Sequence, residues 1–161
     1  MLVARVHREI LERQKLPPRL VGPDIWQQRL EDIASFERYL ARNGTLILKF
    51  FLHVSKAEQK RRFLERLDTP SKNWKFSLGD VAERGRWSDY MAAYEDMIRN
   101  TATKEAPWVV VPADHKWYAR LIVATATVDA LRALNLEFPR TTPERARELA
   151  EARARLSKER G

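Results

Sequence analysis

The chain has 161 residues, 44% of them apolar, with 30 Lys and Arg against 22 Asp and Glu, a formal charge of +8. That length and apolar share suit one globular domain with a core and exclude a disordered chain. The basic balance favours an anionic partner: nucleic acid, phosphate, polyphosphate or an acidic membrane surface. There is no cysteine, which excludes disulfides, thiolate metal sites and cysteine nucleophiles.

In chain order, residues 2–14 read as a short helix or a strand-to-helix passage, with Val3, Val6 and Ile10 at helical spacing. No secretory pattern is visible there, because Met1–Ala4 runs straight into Arg5, His7, Arg8 and Glu9. No apolar stretch approaches a membrane span, so no membrane partner and a cytoplasmic location are expected. Pro17, Pro18, Gly22 and Pro23 mark a connection. Asp24 is placed to cap a helix reaching about Arg42, with Trp26, Leu30, Ile33 and Leu40 inward and Phe36 nearby. Asn43-Gly44 suits a left-handed end.

Thr45–Val54 is the clearest strand, apolar enough for burial on both faces, as in a parallel strand between helices. Ser55 and Glu58 form a capping box for a helix holding Phe63, Leu64 and Leu67 inside, which Pro70 ends. A second capping box, Asp80 with Glu83, opens the next helix. Its Trp87, Tyr90, Met91, Tyr94 and Ile98 recur at three and four residues to about Arg99. Trp108–Pro112 is a second short strand, near a sheet edge because of Pro112. Asp114 is placed to cap a helix using Trp117, Leu121, Val128 and Leu131 inward. Thr142-Pro143-Glu144 opens a last helix rich in Arg, Glu and Ala.

The segment Arg66–Phe76 lies between two basic arms, Lys60–Arg66 and Asp80–Trp87. A basic helical hairpin over a short strand suits a flexible anion and resembles the lid of a phosphoryl-transfer enzyme. The phosphate loop such a lid closes over, G-x-x-x-x-G-K-[ST], does not occur in the sequence. Two parallel strands are also too few for a stable doubly wound sheet. Either another chain completes the sheet, or the sequence is the C-terminal part of a longer ancestral protein. His7, His53 and His115 are scattered and form no triad. Asp80 reads as a helix cap, Asp89 as a surface acid, and neither has a second acid at magnesium-site spacing. Trp74 and Phe76 read as lid anchors. No nucleic-acid-binding motif is present, so nucleic acid is not the expected partner.

The chain resembles the polyphosphate kinase 2 family, and within it the branch acting on nucleoside mono- and diphosphates. The resemblance rests on Leu46–Gln59 (LILKFFLHVSKAEQ), Arg62–Asp68 (RFLERLD), Asn73–Ser77 (NWKFS), Arg86–Tyr90 (RWSDY), Ala106–Asp114 (APWVVVPAD) and Lys116–Arg120 (KWYAR). Leu2–His7 (LVARVH) is similar to the stretch that follows the family's Walker B segment. The match covers residues 1–138, with a lid at about 56–99. Residues 139–161 form a charged helical tail outside it.

The resemblance implies an incomplete α/β, P-loop-kinase-like three-layer fold with parallel strands and a helical lid. It implies phosphoryl transfer between inorganic polyphosphate and a nucleoside mono- or diphosphate, and association into homo-oligomers. Mg2+ is expected for the complete family enzyme, with no self-contained metal site here. The sequence starts after the family's Walker A and Walker B segments, so the chain alone is expected to be catalytically incomplete and no catalytic residue is assigned. The alternative is a noncatalytic module that binds polyphosphate or nucleotide, or oligomerises. Arg62, Arg66, Lys72, Lys75, Arg84 and Arg86 are the candidate phosphate contacts, with Arg66 and Lys75 foremost, because they sit inside the matching segments. Arg5, Lys116 and Arg120 are candidate cleft residues.

Overall fold

The computed structural model describes residues 1–159. Its helices are α1 (Leu2–Val6), α2 (Arg8–Glu12), α3 (Ile25–Arg42), α4 (Lys56–Leu67), α5 (Leu78–Gly85), α6 (Trp87–Thr101), α7 (Lys116–Ala133) and α8 (Pro143–Leu156). Among the described residues there are also two strands, β1 (Lys49–His53) and β2 (Trp108–Pro112), and two 3-10 turns, Pro18–Leu20 and Pro70–Lys75. The strands pair in parallel, from Lys49 opposite Trp108 to His53 opposite Pro112. The crossover between them carries α4, α5 and α6. Residues Met1–Thr125 form one compact unit and a second begins at Ala126, so the division falls within α7.

The core of the first unit is small. Val111, Ala113 and Ala119 are buried together, with Phe50, Val54, Val109, Ile122 and Val123 packed against them. Leu30 of α3 and Ala93 of α6 are also buried, and α6 packs against both α1 and α3. Burial of this apolar surface at roughly 25 cal/mol per Å2 is the main force holding these elements together.

β1 is shorter than the expected Thr45–Val54 strand. Its partner β2 begins only after Pro107, which has no N–H to donate, and Thr103–Ala106 is closed into a turn by Thr103 N on the Ala106 carbonyl (3.4 Å). Thr45–Leu48 therefore has no ladder to join in this unit. The expected burial of both sheet faces is not met either, since Leu52 and Val110 are each more than half exposed.

Several expected inner faces are rotated. On α3 the buried residues are Ile25, Leu30 and Ala34, while Ile33 and Phe36 are exposed. On α4, Leu64 and Leu67 are exposed. On α7 the inward residues of the first unit are Ala119, Ile122 and Val123, whereas Trp117 and Leu121 face outward. A small side chain at position 119 lets the helix approach β2 closely, and this sets the rotation.

Three caps also differ from expectation. Asp24 makes no side-chain cap bond. Asp114 turns away from α7, and its Oδ1 accepts from the backbone N–H of Ser55 (2.7 Å). α5 starts at Ser77 rather than Asp80: Ser77 Oγ accepts from Gly79 N (3.1 Å) and Asp80 Oδ2 accepts from Ser77 N (3.2 Å). The C-terminal end of α3 and the start of α8 are as expected. Gly44 has φ +82°, and Thr142 accepts from Arg145 N (3.2 Å) ahead of Pro143.

Candidate functional site

In an open parallel sheet, ligands bind beyond the carboxyl ends of the strands. A cleft of about 310 Å3 opens there. Phe51 and His53 of β1 form one side, Gln59 and Phe63 of α4 another. Glu83 and Arg84 of α5 and Tyr90 of α6 close it.

The cap of α4 sits beside this end of the sheet. Ser55 Oγ accepts from Glu58 N (3.1 Å), as a capping box requires. The Glu58 carboxylate does not return the bond, because it is taken by Arg61 (2.7 Å to each oxygen) and by Arg62 Nε (2.8 Å). These guanidinium bonds, Arg61 first and then Arg62, pull the Glu58 carboxyl down to about 2. Arg62 also donates from Nη2 to the carbonyls of Ala113 (2.7 Å) and Asp114 (3.0 Å). It therefore ties α4 to the exit of β2, with most of its fork already used.

Beyond α4 a 3-10 turn runs over Pro70–Lys75. The Asn73 amide nitrogen, oriented so that both of its polar groups are satisfied, donates to the carbonyls of Arg66 (2.8 Å) and Thr69 (2.6 Å) and holds the turn on the end of α4. Phe76 packs edge-on to Phe63 (5.8 Å between rings), so it anchors the turn as expected. Trp74 does not, being 78% exposed.

Lys75 Nζ lies 4.9 Å from the Trp74 ring centre and Arg66 lies 5.9 Å from that of Phe63. Neither has a carboxylate partner among the described residues. Lys72 Nζ is 3.4 Å from Glu65. Lys72 first, then Arg61 and Lys116, hold the Glu65 carboxyl below its ordinary range, so three cations share one acid. Arg120 is exposed on α7 and makes no ion pair among the described residues.

Of the candidate cations, only Arg84 lines the cleft. Its Nη1 donates to the Lys56 carbonyl (2.7 Å) and to Gln59 Oε1 (2.8 Å), joining α5 to α4. Arg86 Nη1 reaches the Val6 carbonyl (3.3 Å), and Arg5 Nη1 pairs with Asp96 of α6. Arg5 and Arg86 thus lie on the α1 side, apart from Arg66 at the end of α4 and Lys72 and Lys75 on the turn that follows it.

The sequence gives no hint of a cluster around Glu83. Glu83 Oε2 accepts from the Tyr90 hydroxyl (2.6 Å) and lies 2.8 Å from His7 Nε2. His7 Nδ1 is 3.1 Å from Glu9. Glu83 is thus no capping residue, and His7 is not isolated. The seven-residue step from Glu83 to Tyr90 crosses the break between α5 and α6, and His7 arrives from 76 residues away, so local periodicity carries no signal for the contact. Bonds from Tyr90 and then His7 lower the Glu83 carboxyl. Burial and the bond to Glu83 push the Tyr90 hydroxyl up to about 12.

The residues present do not form a magnesium site. Among the described residues no group of three or more His, Asp and Glu is arranged to hold a metal ion. The acids nearest the cleft are engaged, Asp80 by Ser77 and Glu83 by His7 and Tyr90. No helix among the described residues is long and apolar enough to cross a membrane.

A small parallel sheet flanked by helices, with a cationic hairpin in its crossover, is the architecture of a P-loop-kinase-like three-layer protein. The family model for Polyphosphate kinase 2 (PPK2) matches residues 18–139, and the chain belongs to that family. It is similar to the ADP-polyphosphate phosphotransferase of Rhodopseudomonas palustris, with 45% identity over 98% of this chain and 55% of that protein. An uncharacterized protein from the chlN 3′ region of Leptolyngbya boryana is 50% identical over 84% of this chain and 99% of its own length. The crystal structure of Polyphosphate Kinase 2 from Arthrobacter aurescens TC1 superposes with a TM-score of 0.78 at 42% identity, over 93% of this chain and 49% of that one. The chain therefore spans about half the length of the phosphotransferase and of the solved kinase.

Proposed function

We propose that the chain supplies the polyphosphate-binding hairpin of a phosphotransferase that moves a phosphoryl group between inorganic polyphosphate and a nucleoside mono- or diphosphate. Residues 56–99 are the lid in this reading, and 139–161 are a tail outside the catalytic fold. The observation that carries it is a pair of cations with no carboxylate partner among the described residues, Arg66 at the end of α4 and Lys75 at the end of the 70–75 turn. Family membership and the named activity of the Rhodopseudomonas relative support it.

Polyphosphate presents negative charge at every phosphorus, so a guanidinium fork at the end of α4 and a mobile ammonium on the turn after it can hold phosphates of one chain. In the transfer, an oxygen of the acceptor's terminal phosphate attacks the terminal phosphorus of polyphosphate. The bond to the bridging oxygen breaks, and the shortened polyphosphate leaves with that electron pair. Charge is spread over the moving group, and catalysis rests on positioning and electrostatic stabilisation. Arg66 and Lys75 orient the donor chain, with Lys72, Lys116 and Arg120 adding to the field around it. Arg62, Arg84 and Arg86 act chiefly by holding the hairpin to the sheet and to α1.

The test is titration of the 161-residue chain with polyphosphate of defined length, beside a magnesium-dependent assay of transfer to AMP, ADP and GDP. Saturable binding that Arg66→Ala and Lys75→Ala each weaken about tenfold is expected, the loss of one charge-assisted contact. Absence of saturable binding overturns the reading. A second reading, a binding or oligomerising module without catalysis, is favoured by the near-complete coverage of the Leptolyngbya relative. Tight binding with no transfer to any of the three acceptors selects it.

A further inference from the structure

We propose that His7, Glu83 and Tyr90 are positioning residues, a latch in which one carboxylate oxygen fastens α5 to α1 and α6, so that the proton on His7 controls how firmly the hairpin is held. That the hairpin so held binds an anionic chain is the part of this inference that rests on the proposed function.

The geometry is economical. α5 has eight residues, too few for stability by its own hydrogen bonds, and it contains no buried residue. It must be held from outside. Its N-terminus is capped by Ser77. One face is tied to α4 through Arg84, which donates to Lys56 O and Gln59. The remaining tie is Glu83. Oε2 of that residue receives the Tyr90 hydroxyl from α6 at 2.6 Å and His7 Nε2 from the end of α1 at 2.8 Å. The neighbouring Arg86 reinforces the same joint through the Val6 carbonyl. The imidazole is largely enclosed, with 14% of its side chain exposed.

Four groups face His7. Glu83 comes from α5, Glu9 from α2, Tyr90 from α6, and Arg86 from the joint between α5 and α6. Two carboxylates against one guanidinium favour the imidazolium. The bond to Glu83 is the largest cause raising His7 above its ordinary value, and Glu9 adds to it. When protonated, His7 donates to both carboxylates at once. When neutral, it can donate to only one.

The sign follows. His7 is raised in the latched state, so its contribution is complete below the ordinary histidine value and lost as pH rises through the raised one. Glu83 is lowered, so its contribution is complete above the ordinary carboxylate value and lost as pH falls through the lowered one. Tyr90 keeps its proton throughout, being pushed up to about 12. The latch is therefore closed over a window bounded by Glu83 on the acid side and His7 on the basic side.

The experiment combines NMR titration of His7 with amide-exchange protection factors for residues 78–85 of the full chain, from pH 5 to pH 9. His7 should titrate above about 6.5. Protection of α5 should fall about fivefold or more across that titration. His7→Gln, whose neutral amide donates to Glu83 without a charge, should hold protection near the parent's level above the His7 titration and lose its pH dependence. Tyr90→Phe keeps the ring and should lower protection at every pH, which provides a test even if His7→Ala does not fold. Protection of α5 that is flat across the His7 titration, or indifferent to Tyr90→Phe, overturns the latch. Polyphosphate affinity measured on the same samples should track α5 protection in the parent and lie flat in His7→Gln. Affinity that ignores the titration while protection follows it overturns control of the anion site. Protection that behaves as expected without any polyphosphate binding overturns the proposed function and leaves the latch standing.

Discussion

The most constrained single residue is Lys49. Its side chain is 9% exposed, and the ammonium donates to Glu37 Oε2 (2.6 Å) and to the Thr101 carbonyl (2.7 Å) and lies 5.1 Å from the Trp108 ring centre. One side chain thus joins β1, α3, α6 and β2. Removing it strands the Glu37 carboxylate, which is itself only 14% exposed. Lys49→Ala should cost roughly 3 kcal/mol, the usual loss when one member of a buried pair is removed. Urea unfolding should show it as a shifted midpoint. The double variant Lys49→Met with Glu37→Leu should recover most of the loss, because both charges are then gone. Glu58 behaves differently. Arg61 and Arg62 bring its carboxyl from the ordinary value down to about 2, so its contribution is complete above about pH 4.5 and lost as pH falls toward 2. Midpoints at pH 5 and pH 3 should therefore differ more in the parent than in Glu58→Gln. Equal differences would remove Glu58 as an acid-sensitive tie.

At the scale of elements, the hairpin stands or falls with short helices and their caps. Ser77→Ala removes the oxygen that accepts from Gly79 N and should cost about 1 kcal/mol, the usual price of an N-cap. Since α5 has so little else to hold it, the loss should appear as weakened amide protection over 78–85 before any change in the global midpoint. Unchanged protection would mean that α5 needs no cap. The sequence starts this helix within two residues but runs it on as one helix to about Arg99, where the structure breaks it at Arg86 into α5 and α6. It also puts the cap one turn too late, because Ser77 with Asp80 and Asp80 with Glu83 satisfy the same spacing rule. Glu83 was free for His7 and Tyr90 only because Asp80 was already the reciprocal partner of Ser77. The Ser55 cap, the end of α3 at Gly44 and the whole of β2 were legible, since each depends on local chemistry. The inward faces of α3, α4 and α7 were not. They depend on which neighbours are present, and small residues such as Ala34 and Ala119 carry the close packing where larger ones had seemed to.

At the scale of the whole molecule, the question is whether the +8 charge alone attracts anions or whether a built site does. A diffuse field treats every cation alike, is screened over about 8 Å at physiological salt, and binds any polyanion. A site distinguishes residues of identical charge. Lys75→Gln and Arg147→Gln each lower the formal charge to +7, the first on the 70–75 turn and the second on α8, outside the family segment 18–139. If Lys75 and Arg66 form the contact, Lys75→Gln should weaken polyphosphate binding about tenfold, while Arg147→Gln should change it less than twofold. Raising the salt should narrow the affinity of both variants and of the parent without erasing their order. Single-stranded nucleic acid of matched charge should compete poorly if the site is built for polyphosphate, because its phosphates are bulkier and more widely spaced along the chain. Equal losses in the two variants, together with full competition by nucleic acid, would reduce the basic hairpin to one part of a generally cationic surface.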